Sequence, residues 1–443
     1  MGVTEPPPAG PPTAPISNIL RVKRVVPALA AALLLAATLS GCEASAPEVQ
    51  KKDVVHVPED ASLTDAGGLV ADGGLILIAP GTYTESLDVR GDDVTVRGED
   101  RNTVILDGEL TRSNGVVGTG ERITVENLTV RNFLQNGVLI TGVTDENGAG
   151  VARGPDGYLP DQTPPPVPGY LVQKVTANNN GLYGIYAFNR TDGVIRDNLS
   201  SGGSDSGVYV GQCAECNALV QGNVITLNAS GLELANASHV VVTGNRIVGN
   251  RIGISVLSNY LEAHGPTASV QIVGNVIADN NETLTPEQAS GAFGVGVGLG
   301  GTVDADVRAN LITGNSAVGV WVTSSEDFAP TGTTVAGDSF SGNGLDIAFA
   351  PSATAAGSGN CFTIDATVTT APAGLSGCAA APGSFAQAPG PAGIMFSKVA
   401  LPPERPGLDT VDDEPRALPK TIEMPDLTAI AVPAADLLAD PRS

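Results

Sequence analysis

The chain has 443 residues, of which 42% are apolar and only 4% aromatic, and it carries a formal net charge of −24. With no basic run beyond its first thirty residues, that field excludes nucleic acid and an anionic membrane surface as partners. It also opposes polyanionic glycans, which would need a local Arg cluster or bridging Ca²⁺ to bind, and Ca²⁺ enters the reading only in that role.

In chain order, a Pro-rich stretch over 1–20 precedes a basic cluster, Arg21, Lys23 and Arg24. An apolar run from Val25 to Thr38 and then Leu39-Ser40-Gly41-Cys42 follow. The run is too short to cross a bilayer, so it reads as an export signal. Small residues before a cysteine resemble the lipobox of bacterial lipoproteins. The resemblance implies lipidation at Cys42, an extracytoplasmic location and membrane contact through a lipid anchor only. The alternative is an ordinary signal peptide cleaved near Ala44 or Ala46.

Residues 43–52 read as a polar tether, and 53–118 as a cap and first coils. Leu75 to Ile78, Leu87 to Val89 and Val94 to Val96 are predicted strands, with turns at Pro80-Gly81 and Gly91-Asp92-Asp93. A frame Asn-x-apolar-x-x-Asn then recurs: Asn127 with Asn132, Asn223 with Asn228, Asn245 with Asn250, Asn275 with Asn280, Asn310 with Asn315. It degrades slightly at Lys174 with Asn179 and at Asp338 with Asn343. Copies lie mostly 22 to 25 residues apart, a period built from short strands and turn residues. That pattern predicts an all-β solenoid, a parallel β-helix whose repeats bury their apolar faces against one another. The repeated asparagines are expected to be structural, stacked at turns where Asn tolerates left-handed backbone and bonds the nearby chain.

Within a coil such as Gly231-Leu232-Glu233-Leu234, the period of two sends both leucines inward and Glu233 outward. Alignment on that glycine predicts an outward column of Leu139, Tyr186, Tyr209, Glu233, Ser255 and Trp321. A second column includes Asn189, Gln212 and Asn236. Aromatic rings in line with a carboxylate and an amide row suit sugars, whose apolar ring faces pack on aromatics while hydroxyls need polar partners. Two insertions leave the coils beside this stripe, Thr144 to Gly169 and Asn259 to Ala268. They would wall a cleft with Asp156, Tyr158 and Asp161 on one side and Tyr260, Glu262 and His264 on the other. The alternative is a pair of tolerated surface loops over an inert face.

The remaining four cysteines form two sequence-local pairs, Cys213 with Cys216 and Cys361 with Cys378, expected as disulfides in an exported chain. No second CxxC accompanies Cys213-Ala214-Glu215-Cys216, and no metal site is predicted. The β-helix domain would span 53–378. Beyond it Pro and Ala dominate, so 379–443 is expected as an extended or disordered tail with a few apolar anchors such as Leu427 to Val432.

The coils from Asn198 to Val256, with Asp205-Ser206-Gly207-Val208-Tyr209-Val210-Gly211-Gln212, resemble bacterial right-handed parallel β-helix repeat proteins of the pectin-lyase-like superfamily. The resemblance covers roughly 53–350 and implies the right-handed fold. That superfamily includes lyases, esterases, epimerases and an accessory protein of metalloenzyme maturation. Gly81-Thr82-Tyr83-Thr84-Glu85 also resembles a pectinesterase opening motif, but the later catalytic motifs of these enzymes are absent, so no family catalytic residue carries over. If the chain turns a polysaccharide over, hydrolysis would use Asp205 and Glu233 as paired carboxyls. Elimination would use Tyr209 or Tyr186 as base. Substrate contacts would fall to Tyr186, Asn189, Gln212, Asn236, Tyr260 and His264. The competing reading is a non-catalytic envelope scaffold or an accessory protein of a periplasmic enzyme.

Overall fold

The computed structural model describes residues 50–151, 163–287, 290–378 and 380–442. Cys42 and the loop residues Asp156, Tyr158 and Asp161 lie outside them. Each coil contributes one short strand to each of three parallel sheets, which among the described residues hold 12, 10 and 11 strands. In chain order within a coil these are the first, second and third sheets, as in Val70–Ile78, Gly81–Tyr83 and Leu87–Val89. A seven-residue helix, Leu63–Leu69, packs at the N-terminal end with Ser62 as its cap.

The period of two determines which side chains face in. On the first sheet Val172, Ile195, Val220, Val242, Ile272 and Val307 pair in register and are fully buried. Each such side chain is worth about 1.5–3 kcal/mol over exposure. One coil cannot bury these faces alone, so the core is continuous along the solenoid.

The asparagines stack as two ladders at successive turns, and the first runs Asn198, Asn223, Asn245, Asn275, Asn310, Asp338. Each Oδ1 accepts both the backbone N–H and the Nδ2 of the rung before it, as Asn245 does from Asn223 at 3.0 and 2.9 Å. Each Nδ2 also reaches a carbonyl of an earlier coil, as Asn245 does to Val220 at 2.9 Å. The left-handed backbone expected of these asparagines belongs instead mostly to the residue before them. Gly222, Gly244 and Gly274 have φ of 67°, 63° and 71°, whereas Asn223, Asn245 and Asn275 keep negative φ. The glycine makes the bend, and the asparagine, fully buried, satisfies the backbone groups that the bend takes out of the sheets. Asn245→Ala is expected to leave two buried donors of Asn223 unpaired and to cost about 2 kcal/mol, read as a lower midpoint in denaturant unfolding.

Both disulfides form, Cys213 to Cys216 and Cys361 to Cys378. Residues 380–442 hold no strand among those described but are not a free tail. They lie as an extended strap that runs back along the solenoid and then turns. Asn179 Nδ2 donates to the carbonyls of Phe396 and Val399, and Asn127 Oδ1 accepts from the Leu408 N–H. Leu427 is buried against Leu219, Val241 and Val273. The chain is ordered because its few apolar anchors meet an outward apolar row of the first sheet, while coil side chains satisfy its backbone.

Candidate functional site

The outward column of the third sheet forms as the glycine alignment predicts. Leu139, Tyr186, Tyr209, Glu233 and Ser255 pair coil to coil, and Gly298 carries the register on to Trp321. Pointing outward does not make these side chains accessible. Tyr186 and Tyr209 are 3% and 1% exposed, packed with Leu139, Tyr183, Phe188 and Ala235 in a second apolar cluster. Tyr183 stacks on Tyr186 at 4.2 Å between ring centroids, and Tyr186 meets Tyr209 edge-on at 4.5 Å.

The cover is the 259–268 loop. Tyr209 Oη donates to Glu262 at 2.9 Å, which removes Tyr209 from any substrate. Burial first, and then the charge of Glu262, hold this phenol well above its ordinary value, so Tyr209 is a protonated donor and not the base expected for elimination.

The second column is corrected too. Asn189, Gln212 and Asn236 are fully buried, within a residue of the ends of their strands, with left-handed φ of 54°, 62° and 45°. Their side chains anchor the insertions. Asn189 Nδ2 donates to the Pro164 carbonyl, Gln212 Oε1 accepts the Ala263 N–H, and Asn236 Nδ2 donates to the Asn259 and Glu262 carbonyls. Groups expected to meet sugar hydroxyls therefore hold the loops down. Tyr260 is 57% exposed but packs against Phe328 with tilted rings 4.4 Å apart, and neither it nor His264 lines the cleft described next. His264 has left-handed φ and a buried Nε2 with no partner among the described residues, and burial lowers its pKa.

A cleft of about 470 Å³ opens at the N-terminal end of the stripe, between the turns of adjacent coils and the start of the first insertion at Gly150 and Val151. Leu139, Tyr183, Tyr186, Gln135, Asn136 and Asp205 are among its lining residues. Asp205, just before the strand Ser206–Cys213, accepts from Tyr183 Oη at 3.0 Å. Burial first, then the charges of Glu233 and Asp205, push the Tyr183 phenol far up, so it donates and does not deprotonate. Glu233, half-buried on the strand Ser230–Ala237, accepts from Ser206 Oγ at 2.6 Å. Asn136 donates to Asn114 at 2.7 Å, while its own Oδ1 is buried without a partner among the described residues.

Of the expected residues, then, Tyr186 and Asp205 reach this cleft with Glu233 close by. Tyr183 and Asn136 were missed. Tyr183 lies outside the aligned strand, directly before Gly184, and the one signal for it is a second tyrosine three residues ahead of Tyr186. Among the described residues no group of three or more His, Cys, Asp or Glu could hold a metal ion. Arg190 is buried among carbonyls, donating to Gly120 at 2.8 Å and Gly169 at 2.7 Å.

No curated protein sequence matches the chain. Solved structures similar to it include the mannuronan C-5 epimerase AlgE4 A-module of Azotobacter vinelandii, at 16% identity over 66% of this chain and 86% of that one, with a TM-score of 0.43. Pectate lyase Pel9A follows at 14% identity over 74% and 80%, with a TM-score of 0.41. A DFA-IIIase from Arthrobacter chlorophenolicus is 13% identical over 72% and 98%, with a TM-score of 0.45. At this distance the likenesses say nothing of activity. Residues 168–340 match the family model described as the right handed beta helix region, and with its three parallel sheets the chain is an all-β, right-handed parallel β-helix solenoid.

Proposed function

We propose that this chain is an exported cell-envelope lipoprotein, anchored through Cys42, that binds a polysaccharide in the cleft at Tyr183, Tyr186 and Asp205. The observation that carries the reading is the cleft itself, where stacked tyrosine rings meet a carboxylate and an amide oxygen that has no hydrogen-bond partner among the described residues. Rings of that kind pack on the apolar faces of sugars, and convergent acceptors bond their hydroxyls. The charge of the wall selects among glycans. Among the described residues its one charged lining residue is Asp205, with Glu233 nearby, in a chain of net charge −24. A neutral polysaccharide therefore fits better than a uronate.

Any turnover would be of the hydrolytic type, with Asp205 and Glu233 as the carboxyl pair and Tyr183 fixing the Asp205 side chain. Elimination and epimerisation at a uronate would need a base and a cation at the substrate carboxylate, and no cation is among the described residues that line the cleft.

The second reading, a non-catalytic scaffold or accessory protein, is favoured by the sealing of Tyr209 under Glu262. Binding and depolymerisation assays over neutral and uronate polysaccharides, with and without Ca²⁺, separate the two. Asp205→Asn is expected to abolish turnover, by at least about a hundredfold, while weakening binding by no more than about tenfold. Binding without turnover in the wild type leaves the scaffold reading. A wild type that binds no glycan sinks the carbohydrate assignment.

A further inference from the structure

The outward face of the first sheet carries an apolar row, Leu171, Val194 and Leu219, paired in register. Beside it, two residues further along each strand, run Glu126, Gln173 and Arg196. The strap crosses both rows at 416–423 and leaves a slot of about 290 Å³ beneath it. That volume is at the lower end for small-molecule sites, and the roof of chain admits one small molecule rather than a polymer.

Among the described residues the slot is lined by two charges of each sign, Arg196 and Arg416 with Asp192 and Glu423. Glu126 is fully buried and accepts from Arg97 Nε and Arg416 Nε, each at 2.7 Å, and Gln173 passes the network on to Arg196 Nε at 2.8 Å. Two guanidiniums thus meet one buried carboxylate, and a third, Arg196, is linked to it through Gln173. Arg97 finds a second anion in Asp412 of the strap, whereas Arg196 is exposed and its terminal nitrogens take no hydrogen bond among the described residues. Of the acidic lining residues, Asp192 accepts from Asn217 Nδ2 at 2.6 Å and Glu423 is exposed on the strap.

We propose that this slot binds a small amphiphilic anion, its acid group on Arg196 and Arg416 and its apolar body on Leu171, Val194, Leu219 and Ile422. Planar forked guanidiniums suit a carboxylate, and the apolar row beneath a part-closed roof suits an alkyl or aryl group. The site lies on a different sheet from the glycan cleft and stands or falls separately from it.

Calorimetric titration of the full chain with octanoate, octylammonium and octanol tests the assignment. Octanoate is expected to bind more tightly than either of the others. Arg196→Gln is expected to weaken octanoate about tenfold and leave octanol unchanged, because one charge-assisted contact is lost. Val194→Asp, which sets a carboxylate in the apolar row, is expected to abolish octanoate binding. Octanoate binding that is undiminished in Arg196→Gln, equal binding of octylammonium, or no binding of any of the three overturns the proposal. Should Val194→Asp fail to fold, Arg196→Gln at an exposed side chain still decides.

Discussion

Deletion of residues 386–443, which keeps the Cys361–Cys378 disulfide, is expected to lower the thermal midpoint by about 10 °C, not to leave it unchanged as removal of a loose tail would. Three losses add. Leu427, Ile422 and Ile430 leave the apolar row of Leu219, Val241 and Val273, at about 1–2 kcal/mol each. Glu126, which has no exposed side-chain surface, loses Arg416 and depends on Arg97 and Gln173 alone. The buried Asn179 Nδ2 loses both carbonyl acceptors. Differential scanning calorimetry checks the outcome, and a midpoint within about 2 °C of the wild type would show that the strap is not part of the folded unit. Because a solenoid is stabilised between neighbours, the loss should concentrate in the coils the strap crosses and appear there as faster amide exchange.

Asp338→Asn is expected to stabilise the protein above pH 7 by about 3 kcal/mol, and to flatten its stability between pH 4 and pH 7. Asp338 is the last rung of the first ladder. Its Oδ1 accepts from the N–H and Nδ2 of Asn310, both at 2.8 Å, as an asparagine would. Its Oδ2 stands where every other rung has an amide nitrogen, and it is buried without a partner among the described residues although the residue as a whole is part-exposed.

Burial is the main cause that pushes this carboxyl up to about 7, with Asp306 adding to it, while the Asn310 hydrogen bonds and Arg308 pull the other way. The folded pKa is raised, so the contribution to stability is fully present below the unfolded value of 3.8 and is lost as pH rises toward 7. At 1.36 kcal/mol per pH unit the gap bounds the effect near ~4 kcal/mol, and solvent reaching the part-exposed residue brings it to about 3. Urea unfolding of both proteins at pH 4, 5.5 and 7.5 measures it. Parallel pH profiles for wild type and variant would show that Asp338 does not titrate in this window.

The alternation and spacing of short apolar runs determined the solenoid, the inward rows, the outward column from Leu139 to Trp321 and both disulfides. Each of these depends on contacts within a coil or with the coil next to it, about 4.8 Å away, so a local period encodes them. The glycines before Asn223, Asn245 and Asn275 were also present in the repeat, but the bend was assigned to the amide because both residues favour left-handed backbone.

Only the tertiary structure decided which outward side chains meet solvent. Tyr209 and Tyr186 have the same alternation as an exposed pair, and what buries Tyr209 is Glu262, 53 residues on, in a loop that follows no period. Tyr183 joins Asp205 of the next coil from outside the aligned strand, and the strap reaches Asn127 and Arg97 from some 300 residues away through single anchors rather than a repeat. Side-chain period states a direction relative to the sheet. Accessibility is set by whichever distant chain can bury an apolar row and satisfy its own backbone there, and that is a property of the assembled surface.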